Sequence, residues 1–384
     1  MDRVRAYLSA RPGAPHITPA NPLPRRAPER WNVRIIHIMT ARSGGRTFLR
    51  ALFFLPLSIF ALQAAGTLDA YLIDVEGGKA VLVVAPSGES LLIDDGWPGY
   101  GGRDNRRIVE AAKAAGLKQI DYLLISHYDI DHLGDVPALL AAFPVRRIID
   151  NGSLQTPGAD FERRYKAFAE ARDAMDHTTV KPGDKLPVKG VDITVVEAAA
   201  KGIQSALPGA GAPNPVCATT PPKAERASDH EDNMSIGLLF TLGKFRMLDL
   251  ADLEAFYQYK LVCPNNLIGT VDVYNVSVHA QEKGMSGVLE PAVRARVALV
   301  GNGARKGGDP ASWPILRNAP GMEDIWQAHF SVAGGKESNP PGDFIANVDP
   351  NCQGKWIKLS ARPDGSFTVT NSRNGFSKTY AAHN

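Results

Sequence analysis

Residues Ser126 to Asp135 constrain this chain more than any other stretch. They read Ser-His-Tyr-Asp-Ile-Asp-His-Leu-Gly-Asp and hold four strong candidate metal ligands, His127, Asp129, Asp131 and His132, with Asp135 a weaker fifth. The preceding segment, Gln119 to Ser126, has the apolar run of a buried strand. The following segment, Asp135 to Phe143, reads as a helix with Pro137 in its first turn, where a missing N–H costs nothing. Imidazoles and carboxylates are therefore crowded onto a tight strand-to-helix loop, which can aim alternate side chains at two neighbouring cations. A surface loop holds some of these residue types by chance, but His-x-Asp-x-Asp-His directly after an apolar strand is a specific pattern.

The overall charge of +3 misleads, because the first fifty residues hold ten arginines against Asp2 and Glu29. Removing those ten of 43 basic and two of 40 acidic residues leaves a body five charges negative. Such a body does not advertise a surface for a nucleic-acid backbone. The segment 1–38 reads as a disordered or mis-called upstream stretch, with translation starting at Met39. The segment 39–66 reads as an export signal: Arg42, Arg46 and Arg50, then an apolar run from Ala51 to Leu62, then small residues near Thr67. A periplasmic or secreted protein follows, without a stable membrane anchor if the signal is cleaved. An uncleaved anchor is the alternative, since Ala51 to Leu68 approaches spanning length. Three cysteines, Cys217, Cys263 and Cys352, allow one disulfide and one leftover thiol, with the pair left open.

From Leu68 the pattern is a β-meander: Leu68–Val75, Ala80–Ala85 and Ser90–Asp94, separated by glycine turns. A helix follows around 105–115, then the strand and ligand loop, a strand at Val145–Asp150 and a helix over Phe161–Met175. A strand at Val191–Val196 leads into a long Ala/Pro/Gly-rich loop, Ala198–Ala227. The second half repeats the style, with strands at Met234–Leu242, Phe245–Leu250, Val271–Val278 and Val297–Val300. Helices are expected over Leu253–Leu261 and Gly287–Arg296, and a C-terminal hairpin joins Lys355–Leu359 to Ser366–Thr370. Two sheet-and-helix halves predict an α/β protein, a four-layer α/β/β/α sandwich, in one domain over 67–384 with the hairpin as its extension.

Two cations need more ligands than one loop supplies. His230, Asp252 and His279 each stand at a strand edge in the second half, where a metal cleft on one rim requires them. Each alone reads as a cap or solvated group; their conjunction carries the argument. The loop Gly301–Gly308 offers Asn302, Arg305 and Lys306 to an anion, and Trp97 with Tyr100 offers an apolar wall. His177, His329 and His383 have no partner pattern and read as structural or surface residues.

With these residues in place, the chain from Leu68 to Val300 resembles the metallo-β-lactamase superfamily of α/β/β/α hydrolases. It is most like the exported group with a His-x-Asp-x-Asp-His-x-Gly motif, which includes competence-protein hydrolase domains and phosphorylcholine esterases. Asp74-Val-Glu-Gly-Gly-Lys, Leu91-Leu-Ile-Asp-Asp-Gly96, Asn233-Met-Ser235 and Asp249-Leu-Ala-Asp252 carry the likeness. Ala251 stands where glycine is usual, and Val276-Ser-Val-His279-Ala keeps only the second His of a His-His-Gly pattern. The resemblance implies one cation held by His127, Asp129 and His230, another by Asp131, His132 and His279, and Asp252 bridging them. Zinc suits the set, with manganese or iron as alternatives. It further implies a bridging hydroxide attacking a phosphate ester, phosphodiesters favoured, with Asp131 orienting it and serving the leaving group. The substrate would be a small molecule or phosphoester, with nucleic acid not favoured. Cleavage of a β-lactam or lactone ring is the alternative enzyme reading. A metal-stabilised binding module without catalysis is the alternative of another class.

Overall fold

The computed structural model describes residues 66–382 apart from 153 and 227–229. The upstream segment, nearly all of the export signal and His383 lie outside the described residues. Among the described residues no helix is long and apolar enough to cross a membrane.

Two sheets stack face to face. The first runs, edge to edge, through Ser377–Tyr380, Phe367–Asn371, Ile357–Ala361, Leu68–Leu72, Val81–Val84, Ser90–Ile93, Ile120–Leu124, Val145–Asp150 and Asp176–Thr179. The second runs through Ile345–Asn347, Asp324–His329, Val297–Val300, Val273–Asn275, Phe245–Asp249, Gly237–Leu242, Asp192–Ala198 and Lys201–Gly202. Alternation along each strand decides which face is which. Val81, Val83, Leu91, Ile93, Leu238, Phe240, Leu299 and Trp326 fill the space between the sheets. Leu82, Leu92 and Leu123 face outward onto the helices Arg103–Ala114, Val136–Ala142 and Ala159–Asp173, through Ile108, Ala111, Leu139 and Phe168. Leu248, Leu250 and Ala298 face the other way, onto Ala255–Val262, Leu289–Val293 and Ser312–Arg317. The expected α/β/β/α sandwich is therefore the observed one.

The C-terminal hairpin is woven into the first sheet: Ile357–Ala361 pairs antiparallel with Leu68–Leu72, Leu68 opposite Ala361. Asp324–His329 and Ile345–Asn347, not foreseen as strands, extend the second sheet in parallel. The expected strand Val271–Val278 shrinks to Val273–Asn275, because Val278, His279 and Ala280 turn left-handed at φ of 50°, 52° and 59°. The described part of the long loop is pinned. Leu207, Gly211 and Asn214 donate backbone hydrogen bonds to Leu267, Asn266 and Pro264. A Cys217–Cys263 disulfide closes the same crossing, leaving Cys352 as the free thiol. A buried ion pair links the sheets beneath one rim, Lys79 Nζ to Asp249 Oδ1 at 2.7 Å.

Candidate metal centre

The strand Ile120–Leu124 delivers Ser126 and His127 to that rim. Asp129 then caps the short helix Ile130–Leu133 from an extended conformation, so Asp131 and His132 project from the first turn. Gly134 closes the motif at φ 59°; a Cβ there would lie 2.6 Å from the Asp95 carbonyl oxygen, so no other residue fits. Asp135 is spent on the next helix, its Oδ1 accepting the Ala138 N–H at 3.2 Å.

Fixed tautomers show what the imidazoles present. Asp94 Oδ2 lies 2.8 Å from His132 Nδ1, and a carboxylate only accepts, so Nδ1 carries the proton and Nε2 a lone pair. The Gly301 carbonyl does the same for His279 Nδ1 at 3.0 Å. Ser126 donates its hydroxyl to Asp94 at 2.7 Å, so it accepts from His127 Nδ1 at 3.0 Å. Buried His127 Nε2 has no hydrogen-bond partner among the described residues.

Those three lone pairs fall into two groups. Asp131, His132, Asp252 and His279 gather one ligand atom each within 4.8 Å, as do His127, Asp129 and Asp232. His132 Nε2 and His279 Nε2 stand 3.3 Å apart, each 3.1–3.5 Å from the Oδ2 atoms of Asp131 and Asp252. Two lone pairs at that distance repel unless a proton or a cation lies between them. His127 Nε2 is 3.8 Å from Asp129 Oδ2 and 4.0 Å from Asp232 Oδ1, a separation that suits opposite corners of a coordination shell. The donors therefore fit a dinuclear centre of three imidazoles and four carboxylates, whose charge two divalent ions balance.

The mutual fields of imidazoles and carboxylates shift these groups in both directions. Burial pushes Asp131 up, but His132, His279 and Lys306 outweigh it and hold the carboxyl far below its ordinary range. Asp252 is likewise held well below by His279 and His132 against burial. Burial opposes charge on Asp129 too, yet His127 brings it to about 2. Asp232 goes the other way, to about 8, driven by burial and by the nearby Asp252. Burial opposes protonation of His132, and Asp252, Asp131 and Asp94 override it, raising the imidazole well above its usual value.

His230 does not join either group. It sits on an exposed turn with Nδ1 3.2 Å from Thr156 Oγ1, and the 3-10 turn Asp232–Met234 brings Asp232 inward instead. The ligand lies two residues beyond His230, in a stretch where His, Glu and Asp follow one another. Glu231 is the hinge of that turn: its Oε1 accepts the Tyr128 N–H at 2.7 Å, tying it to the first ligand loop. Asp94, just past the strand Ser90–Ile93, carries no sequence signal of its orienting role beyond its place at a strand end.

The Gly301–Gly308 loop divides. Lys306 reaches the centre, hydrogen-bonding Asp131 Oδ2 with its ammonium 5.0 Å from the Trp97 ring. Asn302 does not face a substrate: its amide donates to the carbonyls of Gly303 and His329, holding the loop. Arg305 is exposed, as is Tyr100, so the expected apolar wall reduces to Trp97. On the other side Lys283 pairs with Asp232, and a cavity of about 350 Å³ opens there, lined by Lys223, Arg226, Glu254 and Lys283.

A model of the metallo-beta-lactamase superfamily matches residues 73–215, the stretch holding the first ligand loop. The matched stretch is less than half of this chain. The chain is 29% identical over 164 residues to ComE operon protein 3 of Bacillus subtilis, covering 39% of this chain and 20% of that protein. It is 28% identical over 138 residues to the coenzyme F420H(2) oxidase of Methanothermobacter marburgensis, covering 36% of this chain and 30% of that one. The matches thus span less than a third of either relative. Among solved structures, a single-site mutant of the CmlA beta-hydroxylase is similar at 17% identity and a TM-score of 0.39, covering 69% of this chain and 52% of its own.

Proposed function

We propose that this chain is an exported dinuclear metal-dependent hydrolase of phosphate esters, phosphodiesters foremost. The observation that carries the reading is the convergence of three oriented imidazole lone pairs and four carboxylates on one rim. The oxygen-rich donor set suits zinc, manganese or iron. When bound, two divalent cations supply the Lewis acidity that makes water a nucleophile near neutral pH.

The chain's own residues do the rest. Asp94, Ser126 and Gly301 fix the imidazoles, so the centre needs little reorganisation when a substrate arrives. Lys306 beside Asp131 meets an anionic oxygen of the substrate. Asp131 orients the attacking water and passes its proton toward the leaving oxygen. Lys223, Arg226 and Lys283 outnumber Glu254 and Glu282 along the adjoining cavity, a small positive excess that leans toward an anionic ester over a neutral ring. The Cys217–Cys263 disulfide supports export, since such bridges persist in oxidising compartments.

The test is metal analysis of the purified protein together with turnover of bis-p-nitrophenyl phosphate, p-nitrophenyl phosphate, nitrocefin and an acyl lactone. The diester should turn over fastest, and Asp131→Ala should lower that rate by about 10³-fold or more, the scale on which members of a catalytic unit act. Unchanged turnover in that variant contradicts the role given to Asp131. Hydrolysis of nitrocefin or lactone without the diester would establish ring opening instead, and bound metal without any turnover would establish a binding module.

A further inference from the structure

A second group of ligand-type side chains lies behind the first hairpin, away from the rim. Asp74 and Glu76 come from the turn after Leu68–Leu72, His329 ends the strand Asp324–His329, and Cys352 lies in the crossing that follows Ile345–Asn347. Each offers one donor atom, and all four atoms lie within 4.8 Å of one another. Asp74 and His329 are fully buried, Glu76 and Cys352 half-buried.

Three features of this group point to a cation. First, His329 Nδ1 is 3.0 Å from the Phe330 carbonyl oxygen, which only accepts, so Nε2 carries the lone pair. That Nε2 is buried and has no hydrogen-bond partner among the described residues. An imidazole nitrogen left so bears an uncompensated desolvation cost unless something occupies its lone pair. Second, Cys352 Sγ faces two acceptors, Asp74 Oδ2 at 3.0 Å and Glu76 Oε1 at 3.2 Å, and a thiol has one proton for both. Third, Arg107 supplies charge without completing the hydrogen bonding. Its guanidinium donates to the Asp74 backbone carbonyl at 2.8 Å, to Cys352 Sγ at 3.3 Å and to the Cys352 carbonyl at 3.4 Å, but stays 3.5 Å from Asp74 Oδ2 and 3.6 Å from Glu76 Oε1. Acceptors therefore outnumber donors inside a largely closed space.

We propose that Asp74, Glu76, His329 and Cys352 bind one divalent cation of the zinc type, as a structural site that staples the C-terminal crossing to the first hairpin. Imidazole nitrogen, thiolate sulfur and carboxylate oxygen are each zinc ligands, and four such donors complete a tetrahedral shell, although closed zinc sites usually carry more sulfur than this one. Binding forms a sulfur–metal bond and releases the thiol proton to solvent; nothing is oxidised or reduced. Two carboxylates and a thiolate against the cation leave one negative charge, which Arg107 neutralises. The staple has a purpose in the fold. The hairpin turn it holds packs on the Lys306 loop: a Cβ at Gly303 would lie 2.3 Å from the Glu76 backbone carbon. Fixing Glu76 therefore fixes the loop that carries Lys306 to the rim.

Cobalt(II) gives a direct readout, because the two rim groups contain no sulfur and Cys352 is the chain's single free thiol. Cobalt-loaded protein should show a near-ultraviolet thiolate-to-metal charge-transfer band. His329→Gln and Cys352→Ser should each bind one zinc equivalent fewer than wild type, and the band should vanish from Cys352→Ser. A rim variant, His132→Ala, should keep the band. Where Cys352→Ser fails to fold, the wild-type cobalt spectrum and the zinc count of His329→Gln still decide the matter. Cobalt-loaded wild type without the band, or an unchanged zinc count in His329→Gln, overturns the proposal.

Discussion

Two clusters in this molecule gather imidazole and carboxylate, and they differ in how the chain assembles them. The rim centre draws His127, Asp129, Asp131 and His132 from one short loop and adds Asp232, Asp252 and His279 from turns that flank strands of the other sheet. The rear cluster draws Asp74 and Glu76 from one turn, then His329 and Cys352 from separate elements more than 250 residues later. The rim adjoins Lys306, Trp97 and a cavity lined by both basic and acidic side chains, whereas the rear is roofed by its own crossing and by Arg107. An open centre beside cationic side chains suits chemistry on an anion. A closed one with a compensating guanidinium suits holding two segments together.

Asp94→Asn tests whether orientation is what makes the rim competent. Asn in the same place keeps the shape but can present an N–H to His132 Nδ1, which favours the wrong tautomer and turns the lone pair away. Loss of such a partner typically costs about 10–100-fold in metal affinity or activity. Metal titration and diester turnover should both fall on that scale in Asp94→Asn, with the cobalt thiolate band of the rear cluster unmoved. A fall in that band would mean the two clusters are coupled, and the contrast between them would need redrawing.

Why one cluster was legible and the other was not follows from the same contrast. His-x-Asp-x-Asp-His announces itself because its ligands share a loop, and strand periodicity supplied the scaffold around it. Asp252 and His279 were readable as polar residues at strand ends. His230 was misread because sequence gives the presence of a polar stretch but not which residue a 3-10 turn buries; Asp232, two residues on, takes the inward place. His329 reads from sequence as structural or surface because its strand carries no clear alternation, and without the parallel pairing of Val297–Val300 with Asp324–His329 nothing brings it to Asp74. The cysteine pairing was open for the same reason: the Cys217 loop meets Cys263 only through tertiary hydrogen bonds.

Glu197 sharpens the contrast from outside both clusters, as a buried carboxylate with no ion pair among the described residues. Its Oε1 is buried without a hydrogen-bond partner among the described residues, and burial pushes its pKa up to about 8, with Lys260 opposing only weakly. The folded state thus holds a proton that the unfolded chain releases near the ordinary value of 4.5. A raised acid pKa means that stability is fully present below about 4.5 and declines as pH rises toward about 8. Glu197→Gln, which mimics the protonated form, should flatten this decline and be roughly 2 kcal/mol more stable than wild type at alkaline pH, a discounted share of what a shift this size allows. Denaturant unfolding of both proteins across the pH range measures it. Parallel curves would show that Glu197 is solvated rather than buried.

The smallest expected effect concerns backbone. Asp94, Ala251 and His279 around the rim take left-handed φ of 64°, 48° and 52°, while in the rear cluster Glu76 alone does, at 58°. Side chains are disfavoured there by about 1–2 kcal/mol, and glycine is not. Ala251 holds the conformation because its N–H bonds Asp249 Oδ1 at 2.9 Å and its carbonyl accepts the Val278 N–H at 3.1 Å, so the turn carrying Asp252 is fixed at both ends. Ala251→Gly relieves the steric cost but frees the unfolded chain by about 0.5–1 kcal/mol. The net should be a stabilisation of roughly 0.5 kcal/mol, with diester turnover unchanged because the hydrogen bonds remain. Ala112→Gly, in the right-handed helix Arg103–Ala114, is the control and should lose about 1 kcal/mol or more. Should both variants lose stability equally, backbone strain is not what distinguishes the rim, and the oriented imidazoles alone carry the difference between the two clusters.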